Sequence, residues 1–168
     1  GAVSSESGAI AISGAVFDGN HAGDKGGAVY TIGGPISLTN GEMKNNTAPS
    51  GGAAATITGT LTVTGTLFDR NSASNIGGAI YCDSGTVGID GGIFNTNDTD
   101  GAGGAVFCSS GALNIANSAF TQNTAATSGG AVFDFSGTIT TTGTTFTSNV
   151  AGDTGGAVLN WIGETNIT

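Results

Sequence analysis

The chain is predicted to be all-β, a parallel β-solenoid of about 26 residues per coil with roughly six and a half coils. Three observations predict it. Gly-Gly-Ala recurs at Gly26, Gly51, Gly77, Gly103, Gly129 and Gly155, spaced by 25, 26, 26, 26 and 26 residues. Phe-x-x-Asn runs in step, from Phe17, Phe68, Phe94, Phe120 and Phe146, with Met43 as the variant. Between the two motifs lies a short stretch that alternates apolar and polar residues, the signature of a strand with one buried face.

The alternating element gives Ile10/Ile12, Ile36/Leu38, Leu61/Val63, Val87/Ile89, Leu113/Ile115 and Ile139/Thr141. Two residues beyond it stands Gly14, Asn40, Gly65, Gly91, Asn117 or Gly143. Gly and Asn tolerate positive φ, so this position is predicted to be a left-handed corner. Each unit then holds three short strands and three corners. A unit of that size cannot bury its own apolar face and must stack on the next. Stacking in register sets equivalent residues about 4.8 Å apart and gives a column roughly 31 Å tall. The chain therefore reads as one domain, residues 1–168. Its coils lie at about 1–25, 26–50, 51–76, 77–102, 103–128 and 129–154, with a partial coil 155–168.

Stacking turns the motifs into columns. Phe17, Met43, Phe68, Phe94, Phe120 and Phe146 form an internal stack, each ring worth about 1.5–3 kcal/mol of burial. Tyr30, Tyr81, Phe107 and Phe133 form a second, interrupted by Ala55 and Leu159. Asn20, Asn46, Asn71, Asn97, Asn123 and Asn149 form a ladder whose amides can donate to one neighbour and accept from the other. The one-residue deletion falls near Pro49, where a turn can absorb it. If Ala28 and Tyr30 face inward, then Val3, Val29, Ala54, Ile80, Val106, Val132 and Val158 make an exposed apolar stripe that could bind a partner; a covering turn or strand is the alternative.

Gly-Gly-Ala-[Ile/Val] paired with Phe-x-x-Asn, as in GGAIY with FNTN and GGAVF with FTQN, resembles the repeats of chlamydial polymorphic membrane proteins and related autotransporter-like passengers. The resemblance covers essentially the whole chain. It implies a right-handed parallel β-helix, export to the cell surface or beyond it, and an adhesin role. The chain departs from that pattern at Met43, and the sequence shows no carboxy-terminal membrane barrel.

Composition narrows the function classes. Charged residues are 9% of the chain and the net charge is −9, with Lys25, Lys44 and Arg70 the only basic side chains apart from one histidine. Nucleic-acid binding needs clustered Lys and Arg, so no nucleic-acid partner is expected. No apolar run reaches the length that spans a bilayer, so this segment is not expected to insert in a membrane. Gly1 is not a methionine, which suggests a processed product or part of something longer.

Candidate chemistry is sparse. Asp98 with Asp100, and Asp18 with Asp24 around His21, are the paired carboxylates that acid–base chemistry could use, as in carbohydrate-active β-helices. Solvated turn residues are the plainer explanation. No catalytic residue, metal site or cofactor is assigned. Asp18, Lys44 and Asp69 share a column and are expected to set register through exposed ion pairs. Cys82 and Cys108 lie one repeat apart, within reach of a disulfide, or remain as two free thiols. Thr58, Thr60, Thr62 and Thr64, and Thr138, Thr140, Thr142 and Thr144, suggest an ice-binding array, interrupted at Asp90, Asn114 and Ala116.

The ends carry no capping elements, so either the chain is a segment of a longer array or its ends mate with other copies in an open filament. Trp161 is the candidate end contact. The leading expectation is a non-enzymatic surface protein of adhesin type whose partner is a protein, a glycan or another copy of itself. An end-to-end filament subunit and a carbohydrate-active β-helix are the alternatives.

Overall fold

The computed structural model describes residues 1–168 and contains strands and turns with no helix. All strand pairings are parallel and link each coil to the next, so the fold is a parallel β-solenoid of about six turns. The five coils from 26 to 154 each carry four strands, where the sequence predicts three, and the first coil carries three. In the coil 77–102 they are Ile80–Cys82, Thr86–Asp90, Ile93–Asn95 and Asp98–Thr99. Stacked over the coils, they form the Gly-Gly-Ala sheet, the alternating sheet, the phenylalanine sheet and the post-asparagine sheet. The last is the one not foreseen. Its strands are two to five residues long and largely polar, too short to display a period of two.

Backbone conformation explains the corners. The column Gly14, Asn40, Gly65, Gly91, Asn117, Gly143 has φ between 49° and 64° and turns the alternating strand into the phenylalanine strand. A second left-handed column stands just before the asparagine ladder, at Gly19, Asn45, Arg70, Thr96, Gln122 and Ser148. Its varied residue types hide it in the sequence. The first Gly of each Gly-Gly-Ala makes a third, with φ from 59° to 71°. From Gly27 to Gly130 the second Gly has no room for a side chain. A Cβ at Gly78 would lie 2.1 Å from the Gly104 carbonyl oxygen of the next coil. The remaining corner is made by side chains: Ser5 Oγ, Thr31 Oγ1 and Asp134 Oδ1 each accept from the backbone N–H three residues on, at 2.8, 3.1 and 3.1 Å.

The core runs the length of the solenoid. Phe68, Phe94 and Phe120 are fully buried and stack ring on ring with centroids 4.6 and 4.5 Å apart, within 2° of parallel. Met43 continues the column, fully buried, as a flexible side chain that fills the space of a ring. Phe17 and Phe146 are half-buried at its ends.

The apolar stripe is corrected by the structure. Val29, Ala54, Ile80, Val106 and Val132 have no exposed surface and belong to the main core, with Val3 and Val158 packed against it as its partly buried ends. The strand begins one residue later than the expectation assumed. Ala28 sits at the corner and is buried, and Val29 is the first strand residue, also facing in. A one-residue change of parity swaps every side chain of a strand between faces. Tyr30, Ala55, Tyr81, Phe107, Phe133 and Leu159 therefore lie on the outer face. There they form a separate column, covered by Ile57, Ile76 and Ala102 from flanking turns.

Candidate interaction surfaces

Buried polar groups inside the solenoid are largely engaged. Along the ladder, Asn46 donates from its backbone N–H and its Nδ2 to Asn71 Oδ1 at 3.1 and 3.0 Å, and the pattern repeats to Asn149. The second Nδ2 proton goes back to the preceding coil: Asn71 to the Met43 carbonyl at 2.9 Å, Asn97 to that of Phe68 at 3.0 Å. Each interior asparagine thus uses both amide protons and both oxygen lone pairs. Cys82 and Cys108 are register partners in the core and are unbridged in this structure. The Cys82 thiol beside it and its own burial push the Cys108 thiol well above its usual range. A chain so occupied inside leaves its outward side chains free to meet partners.

Charge on the phenylalanine sheet is arranged differently from the expected column. Asp18, Lys44 and Asp69 are register neighbours. Lys44, however, pairs with Glu42 of its own strand at 2.8 Å, while Asp18 and Asp69 accept from Asn45 and Asn95 Nδ2, each at 2.7 Å. Arg70 reaches Asp69 at 3.0 Å. Asparagine-to-aspartate bonds between coils, and not alternating ions, set register here.

The alternating sheet presents a flat outer face. Thr60, Thr62 and Thr64 form one row and Thr138, Thr140 and Thr142 another, with the rows of Gly88 and Asn114 between them. Gly88 has nothing within 4 Å of a Cβ position, and its missing side chain opens a shallow dent of about 310 Å³. Thr58 and Thr144 leave the array, donating to the Ile32 and Thr142 carbonyls. The threonines therefore do not form a continuous lattice.

Several of the candidate acid–base side chains have other partners. Asp24 pairs with Lys25 at 3.0 Å, Asp98 accepts from Ser72 Oγ at 3.0 Å, and His21 Nδ1 lies 3.0 Å from Thr47 Oγ1. No three of the His, Cys, Asp and Glu side chains converge. His21, Thr47, Ser72 and Asp100 instead line a polar cleft of about 300 Å³ on the post-asparagine sheet. Trp161 is 60% exposed at an outer corner, where the equivalent residue one coil earlier is the 47% exposed Phe135.

The columns that carry this geometry are the ones a family comparison reads. A model of the Chlamydia polymorphic membrane protein repeat matches residues 14–32, 65–83 and 117–134. Each match runs from a left-handed corner through the column phenylalanine and the ladder asparagine to the Gly-Gly-Ala strand. These three segments are similar to the Chlamydia polymorphic membrane protein repeat. The three matches fall on alternate coils, and the coils between them keep the same backbone and the same ladder bonds. No curated protein and no solved structure matches the chain. The matched segments share the corner, the ring, the amide and the double glycine, while the outward residues between them differ from coil to coil.

Proposed function

We propose that the chain is a non-enzymatic, extracellular or cell-surface β-helix of passenger type that presents its outer faces to a partner. The observation that carries this is the division of labour between inside and outside. Inward positions repeat and are spent on packing and hydrogen bonding, while outward positions differ from coil to coil, as on the faces around Gly88 and His21. A scaffold with a fixed interior and a changeable exterior suits recognition. The polymorphic membrane protein repeat supports surface association. Asp24 and Asp98, two of the carboxylates that could serve acid–base chemistry, are engaged with Lys25 and Ser72, which favours binding over hydrolysis.

The test is direct. The fluorescently labelled chain is expected to bind cultured epithelial cells saturably and to be displaced by unlabelled chain. Incubation with a polysaccharide panel is expected to release no reducing or unsaturated ends. Binding that never saturates would sink the adhesin reading, and released sugar ends would overturn the non-enzymatic one.

A further inference from the structure

The polar cleft exists because one coil is a residue short. On one side Ala48 pairs with Ala73 and Ser50 with Ile76, so Pro49 alone faces the two residues Ser74 and Asn75. On the other side Thr47 pairs with His21 and Ser50 with Lys25, so Pro49 again faces two residues, Gly23 and Asp24. The short coil recedes between two longer ones, and the recess of about 300 Å³ opens there. It is the single break in an otherwise constant repeat, and breaks in a regular pattern concentrate at functional positions.

The groups presented in this recess have one character. Thr47, Ser72 and Ser74 offer hydroxyls, His21 an imidazole and Asp100 a carboxylate. His21 uses Nδ1 toward Thr47, which leaves Nε2 directed to other partners. Ser72 donates to Asp98 and keeps its lone pairs. Asp100 and Ser74 are exposed. Donors and acceptors are mixed, and no Lys, Arg, Phe, Tyr or Trp lines the recess. Anions are disfavoured by Asp100, by neighbouring Asp98 and by the net charge of −9. Metal binding lacks converging ligands.

We propose that this recess, centred on His21, Ser74 and Asp100, binds a neutral monosaccharide unit at the end of a glycan chain. A sugar ring carries alternating hydroxyl donors and acceptors, which this set can answer: Asp100 accepts, the serine and threonine hydroxyls do both, and His21 Nε2 does either according to its tautomer. A single such site in an open recess gives weak, millimolar-range affinity. The proposal rests on the recognition role argued above and gives it a ligand class.

The test follows the backbone amide spectrum of the ¹⁵N-labelled chain during titration with the methyl glycosides of glucose, galactose, mannose and N-acetylglucosamine. At least one is expected to shift the amides of Gly23, Ser74 and Asp100 and the ring of His21. The double variant His21→Ala, Asp100→Asn is expected to weaken that glycoside at least about tenfold. Insertion of a serine after Pro49, which restores the coil length and fills the recess, is expected to abolish binding while the circular dichroism stays that of β-structure. The proposal is overturned if no glycoside moves these resonances, if both variants bind unchanged, or if only calcium chloride or a short peptide shifts them. Cell binding separates the two readings. Cell binding without any glycoside response removes this site and leaves the adhesin role. A glycoside response without cell binding keeps the site and removes that role.

Discussion

Asn71 donates both its backbone N–H and its Nδ2 to a single oxygen, Oδ1 of Asn97, at 3.0 and 2.9 Å, across the gap between coils. Asn97 in turn donates to the Phe68 carbonyl at 3.0 Å. Asn97→Ala would leave three buried groups without partners, each costing about 1–3 kcal/mol. The expected loss is at least about 3 kcal/mol, or roughly 6–12 °C in Tm for a chain of this size. Asn149→Ala, at a half-buried rung, should cost less. Thermal unfolding of both variants checks the ranking, and equal losses would show that burial does not set the strength of the ladder.

Thr96 holds φ at 52°, a conformation that disfavours β-branched residues. Asn45 occupies the same column with φ at 54°, and asparagine tolerates that region through local hydrogen bonding. Thr96→Asn is expected to stabilise the fold by about 1 kcal/mol. Urea unfolding should show a higher midpoint with an unchanged slope. A lower midpoint would mean that Thr96 makes an interaction that outweighs its strain.

Cys82 and Cys108 have no more than 2% of their surface exposed, and Cys108 is pushed well above the usual thiol range by burial beside Cys82. Thiolate is the reactive form. An aromatic disulfide reagent near neutral pH should label neither cysteine in the folded chain and both in denaturant. If the chain is exported, as proposed, protein recovered from its own oxidising compartment should be two hydrogens lighter by mass, because register neighbours about 4.8 Å apart fall within disulfide reach. Free thiols there would count against export.

Much of this fold can be read before any coordinates. Phe68, Phe94 and Phe120 announce an internal column by spacing alone, and Asn46 through Asn149 announce a ladder. The parity of Val29 cannot be read the same way. Gly-Gly-Ala-Val-Tyr alternates equally well with Ala28 or Val29 facing in, and only the corner formed at Gly26 and Gly27 decides where the strand begins. The left-handed position shared by Arg70, Thr96 and Gln122 is hidden because its geometry is imposed by the neighbouring ladder and not by the residues that occupy it. The recess at Pro49 is visible in sequence as a 25-residue interval. Its depth and its lining from four coils require the stacked register.

Asp134 stands in the inward column that also holds Cys82 and Cys108, and burial pushes its carboxyl above the ordinary range. Its Oδ1 accepts from Gly137, but Oδ2 is buried without a partner, as is Oδ1 of its register neighbour Asn160. The folded chain therefore holds this proton to higher pH than the unfolded chain. The contribution is fully present below the unfolded carboxyl pKa of about 3.9 and is lost as pH rises through the raised folded value. Asp134→Asn keeps the acceptor toward Gly137 and replaces an unpaired carboxylate oxygen with a donor beside Asn160. At pH 7 the variant should be more stable by about 1 kcal/mol or more, or roughly 2–4 °C in Tm. The advantage should shrink as pH falls and wild-type Asp134 takes up its proton, which its raised folded value brings on earlier than in the unfolded chain. Melting curves of the two proteins over that fall in pH check the sign. A difference that stays constant with pH would mean that Asp134 is not buried as a strained carboxylate.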